Sequence, residues 1–470
     1  MKLLFCCESY WPHRGGVQEV MRQIAERMAA AGHDVGVAAR AHPDRQTDVH
    51  NGVRIHSFNI TGNLVTGIRG EIDRYRKFLI DFDGDAILIK AAQQWSFDAL
   101  WPVLDQIKAR KVFVPCGFSS FYEPSFKDYF RQLPYVLRKF DHLIFYAERY
   151  RDVDFARANG ITNFSIIPNG ASEVEFGREI RQDGCLRGEL GIPATDLILL
   201  TVGAPINAKG HETVAEAFAQ IDLGGRGATL ILNGNWPPGA RFSADHFRAA
   251  LQRFTSLKSM RKGIRLFREA GVRGVMDRLF PEPPPKRTQA IRLPETAVGP
   301  AQGVSRDATA PDANSPPAKK TVLRVDLPRS KVVDAFFEAD LFVFASKVEY
   351  SPLVLFESAA AGTPFLTVPA GNAGEIVRWT GGGWLCPADR DERGYINVSP
   401  TVLAREMEKG IRSSEYLRQL GEAGRRSWQD HFTWAKIAQS YERILRGETV
   451  ISAMQSNAAD SSMGNEKLNV

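Results

Sequence analysis

Cysteine is scarce in this chain of 470 residues: Cys6, Cys7, Cys116, Cys185 and Cys386 are odd in number and contain no C-x-x-C pair. That pattern excludes a disulfide framework and a zinc ribbon, and it makes a reducing cytosol the expected location. Long apolar runs are also missing. After Lys2 only five apolar residues precede Glu8, and no stretch approaches the ~18 residues of a spanning helix, so neither a secretion signal nor a membrane span is expected. The nine histidines are dispersed without H-E-x-x-H spacing, and no G-x-S-x-G elbow occurs. A zinc protease and an α/β-hydrolase are thereby set aside.

Excess charge is nearly absent as well. The net charge is +6, and a local excess of the same size lies between Arg253 and Arg278, where eight basic residues meet only Glu269 and Asp277. The rest of the chain is formally neutral, which argues against a nucleic-acid binder with Lys and Arg spread over a face. What is present in quantity is core-forming material. With 44% hydrophobic and 24% charged residues, the chain can bury large cores in two or three domains.

The first 176 residues alternate short apolar runs with helix-length mixed segments. Strands are expected at 3–7, 35–39, 53–58, 86–89, 111–114, 142–146 and 164–167, and Val17, Val20, Met21, Ile24 and Met28 recur at helical spacing up to Gly32. This is the pattern of a doubly wound, mostly parallel α/β sheet. A second unit of the same kind opens near Asp196 with the runs 197–202 and 229–232, and it resumes at Leu323, 332–337 and 341–345. The organisation expected is an N-terminal domain at 1–176, a hinge at 177–195, a C-terminal domain at 196–426, a single crossover helix at 427–446 and a disordered tail at 447–470.

An insert at 236–320 interrupts the second unit. Its part 281–320 holds nine of the 26 prolines and no aromatic residue, a composition that reads as disordered. The stretch 245–280 mixes apolar and basic residues, with two readings. It forms either a peripheral contact with an anionic membrane face, or a helical hairpin packed on the C-terminal domain, which Gly263, Gly271 and Gly274 favour.

The residues richest in chemistry follow the run 341–345. A loop carries Glu349, and a helix beginning near Pro352 carries Glu357. First-turn N–H groups of Leu353 and Val354 would lack helical partners and, with the helix dipole, suit an anion such as a diphosphate. Carboxylates beside that point suit sugar or ribose hydroxyls. Upstream, Gly203 and Lys209 flank a loop at the mouth of another helix, where a lysine can neutralise phosphate. Gly15 and Gly16 open the first helix and allow close backbone approach, although G-x-G-x-x-G spacing is missing and dinucleotide binding gains little support. Asp81, Asp83 and Asp85 form D-x-D triplets but read as a turn ahead of a strand.

Together, Gly15-Gly16-Val17, Ile167-Pro168-Asn169-Gly170, Val202-Gly203 through Lys209-Gly210, the E-x7-E pair Glu349 and Glu357, and Phe432-Thr433-Trp434 with Tyr441 resemble the retaining glycosyltransferases of family 4 (group 1), of the GT-B fold. The resemblance covers the chain in order except for about 236–320. It implies two Rossmann-like domains facing across a cleft, with a C-terminal helix crossing back to the first. It implies a metal-independent, hexosyltransferase-like enzyme without a cofactor, moving a sugar from a nucleotide-sugar donor to a glycan or lipid-linked acceptor in cell-surface polysaccharide or glycoconjugate synthesis. Glu349 would be the catalytic candidate holding donor sugar hydroxyls, Glu357 would hold the ribose, and Lys209, Gly203, Leu353 and Val354 the diphosphate. Gly15, Gly16, Cys116 and Gly117 would form the acceptor or phosphate loops. The expected location is cytoplasmic, with peripheral contact at the inner membrane face under the first reading of the insert.

Several positions depart from the pattern. Ala204 replaces a common arginine and leaves Lys209 as the expected sole cation at the phosphates; Tyr350 and Pro352 replace glycines; and Cys116-Gly117 stands where a histidine is frequent. These keep two alternatives open, another GT-B enzyme such as a nucleotide-sugar epimerase and an inert nucleotide-sugar-binding scaffold.

Overall fold

The computed structural model describes residues 1–13, 15–177, 185–235, 290–292 (backbone only) and 319–448. The expectations placed on the basic segment 253–278, on the proline-rich 293–318 and on the tail from 449 lie outside the described residues.

The apolar runs form two parallel sheets. The first holds β1 (Lys2–Cys6), β2 (Asp34–Arg40), β3 (Val49–His50), β4 (Val53–Phe58), β5 (Ala86–Lys90), β6 (Arg110–Val114), β7 (His142–Phe145) and β8 (Phe164–Ile166), in the order β8-β7-β6-β5-β1-β2-β4-β3. Only the edge pair β3–β4 is antiparallel. The second holds β9 (Leu197–Val202), β10 (Ala228–Asn233), β11 (Ala290–Arg292), β12 (Lys320–Val325), β13 (Leu341–Phe344), β14 (Phe365–Thr367) and β15 (Gly383–Leu385), in the order β11-β12-β10-β9-β13-β14-β15. Here only β11–β12 is antiparallel. Strands buried on both faces need unbroken apolar sequence, which is why LILLTV and LFVF stand out while the three-residue β14 and β15 do not.

In each sheet the strand order reverses beside the first strand, between β1 and β5 and between β9 and β13. Doubly wound sheets bind ligands outside the carboxyl ends of strands at such switch points. The chain places its chemistry there. Lys90 ends β5, Gly203 follows β9, and Glu349 follows β13.

The connections between the halves differ from expectation in two places. Phe176 is fully buried in the second half's core, so the chain crosses near Gly170–Ala171, ahead of the segment 177–195. Residues Cys185–Glu189 of that segment form a short helix whose Leu186 and Arg187 amides donate to Glu338 at 2.9 and 2.8 Å, which ties it to the second half. The return path is also not the single helix 427–446. One helix, Ser414–His431, ends on the second half; a second, Trp434–Leu445, packs on the first. The break is local chemistry: Thr433 is extended and its hydroxyl accepts the Lys436 amide, an N-cap, while the Ala171 amide donates to the Phe432 carbonyl at 3.0 Å. Beyond the cap, Trp434, Ile437, Tyr441 and Ile444 are buried against the first sheet, and Arg110 donates to the Ile444 carbonyl at 2.9 Å. Among the described residues no helix is long and apolar enough to cross a membrane.

Candidate active site

A cleft of about 820 Å³ opens between the carboxyl edges of the two sheets. On the second-sheet side, the loop after β9 reaches Lys209 and then Gly210, whose φ of 72° is left-handed; a Cβ there would lie 2.1 Å from the Ala345 carbonyl oxygen. Only glycine lets this loop pass the end of β13 and start the helix His211–Gln220. The result is an ion pair between Lys209 Nζ and Glu349 Oε1, with Ser346 Oγ donating to the same oxygen at 2.8 Å.

Glu349 leads into the helix Leu353–Ala361. Pro352 precedes it in an extended conformation and no side chain caps it, so the first-turn amides are left to the cleft that Leu353 and Val354 line. Ser351 Oγ and Asn169 Oδ1, in residues that line the same cleft, are buried without hydrogen-bond partners. One turn further in, Glu357 is 8% exposed, with Oε1 2.6 Å from an Arg329 Nη. Arg329 opens the helix Arg329–Glu338 and also holds Glu175 through two bonds of 2.9 and 2.7 Å. Burial opposes the Arg329 cation, yet the facing carboxylates of Glu357 and Glu175 outweigh it and hold the guanidinium above its usual range. Lys209 is therefore not the sole cation of this side. Arg329 arrives from an element that carries no recognisable motif.

On the first-sheet side, Gly15 and Gly16 start the helix Gly16–Ala30, and a Cβ on Gly16 would meet nothing within 4 Å, so glycine there widens the cleft. Trp11 stacks on His50 with ring centroids 4.2 Å apart. Arg22 is bonded to Glu19 at 2.7 Å and to Glu26 at 3.1 Å. Lys90, Cys116 and Tyr146 also line this side.

The departures at Tyr350 and Cys116-Gly117 prove to be one feature. Cys116, Gly117 and Phe118 have consecutive positive φ values of 67°, 85° and 49°. The Gly117 amide donates to Asp152 at 2.8 Å, and Tyr350 reaches across from the second half to donate its hydroxyl to the same carboxylate. Tyr350 packs between Tyr146 and Tyr150, and a Cβ on Gly117 would sit 2.8 Å from its ring. The Tyr146 amide donates to the Tyr350 hydroxyl at 3.0 Å, and the Tyr150 hydroxyl donates to the Glu349 carbonyl at 2.7 Å. A glycine at position 350 would leave this gap open, so the tyrosine bridges the halves at the loop that carries Glu349.

Of the residues singled out in sequence, Glu349, Lys209, Gly203, Leu353, Val354, Glu357, Gly15, Gly16 and Cys116 line this one cleft, whereas Gly117 lies beneath Tyr350. Asp83 and Asp85 lie at the opposite end of β5, bonded to Lys2, as a turn reading requires.

Burial pushes the Asp152 carboxyl up to about 6. A raised carboxyl favours the fold below the ordinary carboxylate range near ~4 and loses that contribution as pH rises through its folded value. Wild-type stability relative to Asp152→Asn should therefore fall between about pH 4 and 6 and level off above. Denaturant unfolding of both proteins across that range checks it; a wild type that gains stability relative to the variant as pH rises would contradict it.

Two family models match the chain. One described as "Glycosyl transferases group 1" matches residues 320–427, and one described as "Glycosyltransferase Family 4" matches residues 14–173. Among curated proteins, N-acetyl-alpha-D-glucosaminyl L-malate synthase of Bacillus anthracis is 28% identical over 116 residues, a match that spans 25% of this chain and 28% of that protein. Among solved structures, sucrose-phosphate synthase of Thermosynechococcus elongatus superposes with a TM-score of 0.63 at 18% identity, covering 95% of this chain and 98% of that one. HepE of Anabaena in complex with UDP superposes with a TM-score of 0.62 at 16% identity, covering 95% and 100%.

Proposed function

Because the chain belongs to the group 1 glycosyltransferases of family 4, with the GT-B fold, we propose that it is a retaining enzyme, needing no metal, that transfers a sugar from a nucleotide-sugar donor to a glycan or lipid-linked acceptor. The observation that carries this reading is the grouping at the end of β13: an uncapped helix start at Leu353 and Val354, the Lys209–Glu349 pair before it, and the Arg329–Glu357 pair behind it. An uncapped helix start with a lysine beside it suits a diphosphate. Two carboxylates, one on each side, suit hydroxyls at both ends of a nucleotide sugar. That the HepE structures carry UDP and UDP-glucose agrees with this donor class.

In this reading Glu357 holds ribose hydroxyls, and Arg329 fixes its carboxylate. Glu349 accepts from the donor sugar, and Lys209 offsets the charge that develops on the leaving diphosphate. The bond between the anomeric carbon and the phosphate oxygen breaks, the acceptor oxygen attacks from the same face, and its proton passes to the departing phosphate. No protein nucleophile is required, and Gly15, Gly16 and Cys116 face the acceptor.

Lys209→Ala tests the diphosphate assignment. It should weaken binding of a nucleoside diphosphate by about 10- to 100-fold, the scale of a charge-assisted bond, while the parent nucleoside loses less than about threefold. Calorimetric titration of both ligands checks this. Equal losses for the two would contradict it.

A further inference from the structure

We propose that Lys90 is the seat of an oxyanion subsite on the acceptor side of the cleft, which takes a carboxylate or phosphate of the acceptor. The inference rests on the transferase reading for the word acceptor, but the subsite itself stands on local geometry.

Four lysine or arginine side chains line the cleft among the described residues: Arg22, Lys90, Lys209 and Arg329. Three of them face carboxylates, Arg22 with Glu19 and Glu26, Lys209 with Glu349, and Arg329 with Glu357 and Glu175. Lys90 faces none. It is 1% exposed, and its ammonium donates to the Tyr146 hydroxyl at 2.6 Å with the same ring 5.1 Å away. Besides the Tyr146 hydroxyl, the ionisable groups that act on it are the thiols of Cys7 and Cys116; burial pushes all three up, so they are neutral at pH 7. A buried cation without a counter-charge is costly, and a lysine kept for packing alone would be better replaced by an apolar residue. Burial lowers its pKa to about 8, which leaves it largely protonated at neutral pH.

Position supplies the rest. Lys90 ends β5 beside β1, at the switch point of the first sheet, where the sheet's carboxyl edge meets the cleft. The first turn of the helix Gly16–Ala30 lines the same wall, with Gly16 open to the cleft. The donor diphosphate is assigned to the other wall, at Leu353, Val354 and Lys209. An anionic group at Lys90 therefore belongs to the second substrate, and its charge would fix which hydroxyl of the acceptor meets the anomeric carbon.

The test uses the full chain saturated with UDP, titrated with malonate and, separately, inorganic phosphate as probes. The wild type should bind at least one of them. Lys90→Gln, which keeps a hydrogen-bonding side chain for Tyr146, and Lys90→Met should each weaken that binding at least tenfold. UDP affinity should stay within twofold, which reports an intact fold, and Lys90→Met should melt higher than the wild type without ligand. Preference for malonate identifies a carboxylate, and preference for phosphate identifies a phosphate ester. Probe binding that survives Lys90→Gln, or no binding of either probe to the wild type, would overturn the subsite. If the wild type does not bind UDP, the donor reading fails on its own, and the same probes without UDP, with Lys209→Ala as control, still decide whether binding depends on Lys90.

Discussion

Glu349→Gln is expected to lower kcat by on the order of 10²-fold, the scale for losing one preorganised polar contact to the reacting group, while nucleoside diphosphate affinity changes less than about threefold. Glu349 has three supports: Lys209 on one oxygen, Ser346 donating to that same oxygen, and the Tyr150 hydroxyl on its backbone carbonyl. Glutamine keeps the size and one acceptor oxygen but removes the charge, so the loop should hold its place. Lys209 then loses its carboxylate partner and is left to the diphosphate alone, which is why affinity should be spared while turnover falls. Steady-state kinetics alongside titration with the diphosphate product separates the two quantities. A variant as fast as the wild type would remove Glu349 from the reaction.

Arg329→Met should weaken binding of both a nucleoside diphosphate and the parent nucleoside by about 10- to 100-fold, unlike Lys209→Ala, which spares the nucleoside. The guanidinium is bonded to Glu357 at 2.6 Å and fork-like to Glu175 at 2.9 and 2.7 Å. Removing it leaves two carboxylates facing one another, and Glu357 loses the contact that aims it at the ribose. Lysine should restore little, because one ammonium cannot reproduce the paired Nε and Nη bonds. Titration of Arg329→Met and Arg329→Lys with both ligands checks this; nucleoside affinity unchanged in Arg329→Met would contradict the positioning role.

The sequence carried the architecture where burial writes a continuous signal. Strand β9 matches its apolar run end to end, and Gly210, Pro352 and the two glutamates mark the loops where the chemistry collects. It did not carry what depends on contacts between distant segments. Arg329 enters the cleft 28 positions before its partner Glu357, in a helix with no motif. Tyr350 looks like a misplaced bulky residue until Asp152 and the left-handed turn at Cys116–Phe118 are seen to receive it. The helix break at Phe432–Thr433 was legible in principle from a threonine in N-cap position, but the apolar spacing runs through it. Lys90 offered one clue, a lysine closing an otherwise apolar buried strand at the carboxyl edge of a parallel sheet.

The central claim, a sugar transferred from a nucleotide donor with its anomeric configuration kept, is tested most directly by proton NMR of the full chain with a panel of nucleotide sugars and a mixture of sugar and sugar-phosphate acceptors. One donor should be consumed, with its nucleoside diphosphate released, and the anomeric proton of the first-formed product should carry the configuration of the donor. Consumption of no donor, or a first product of inverted configuration, would contradict the account.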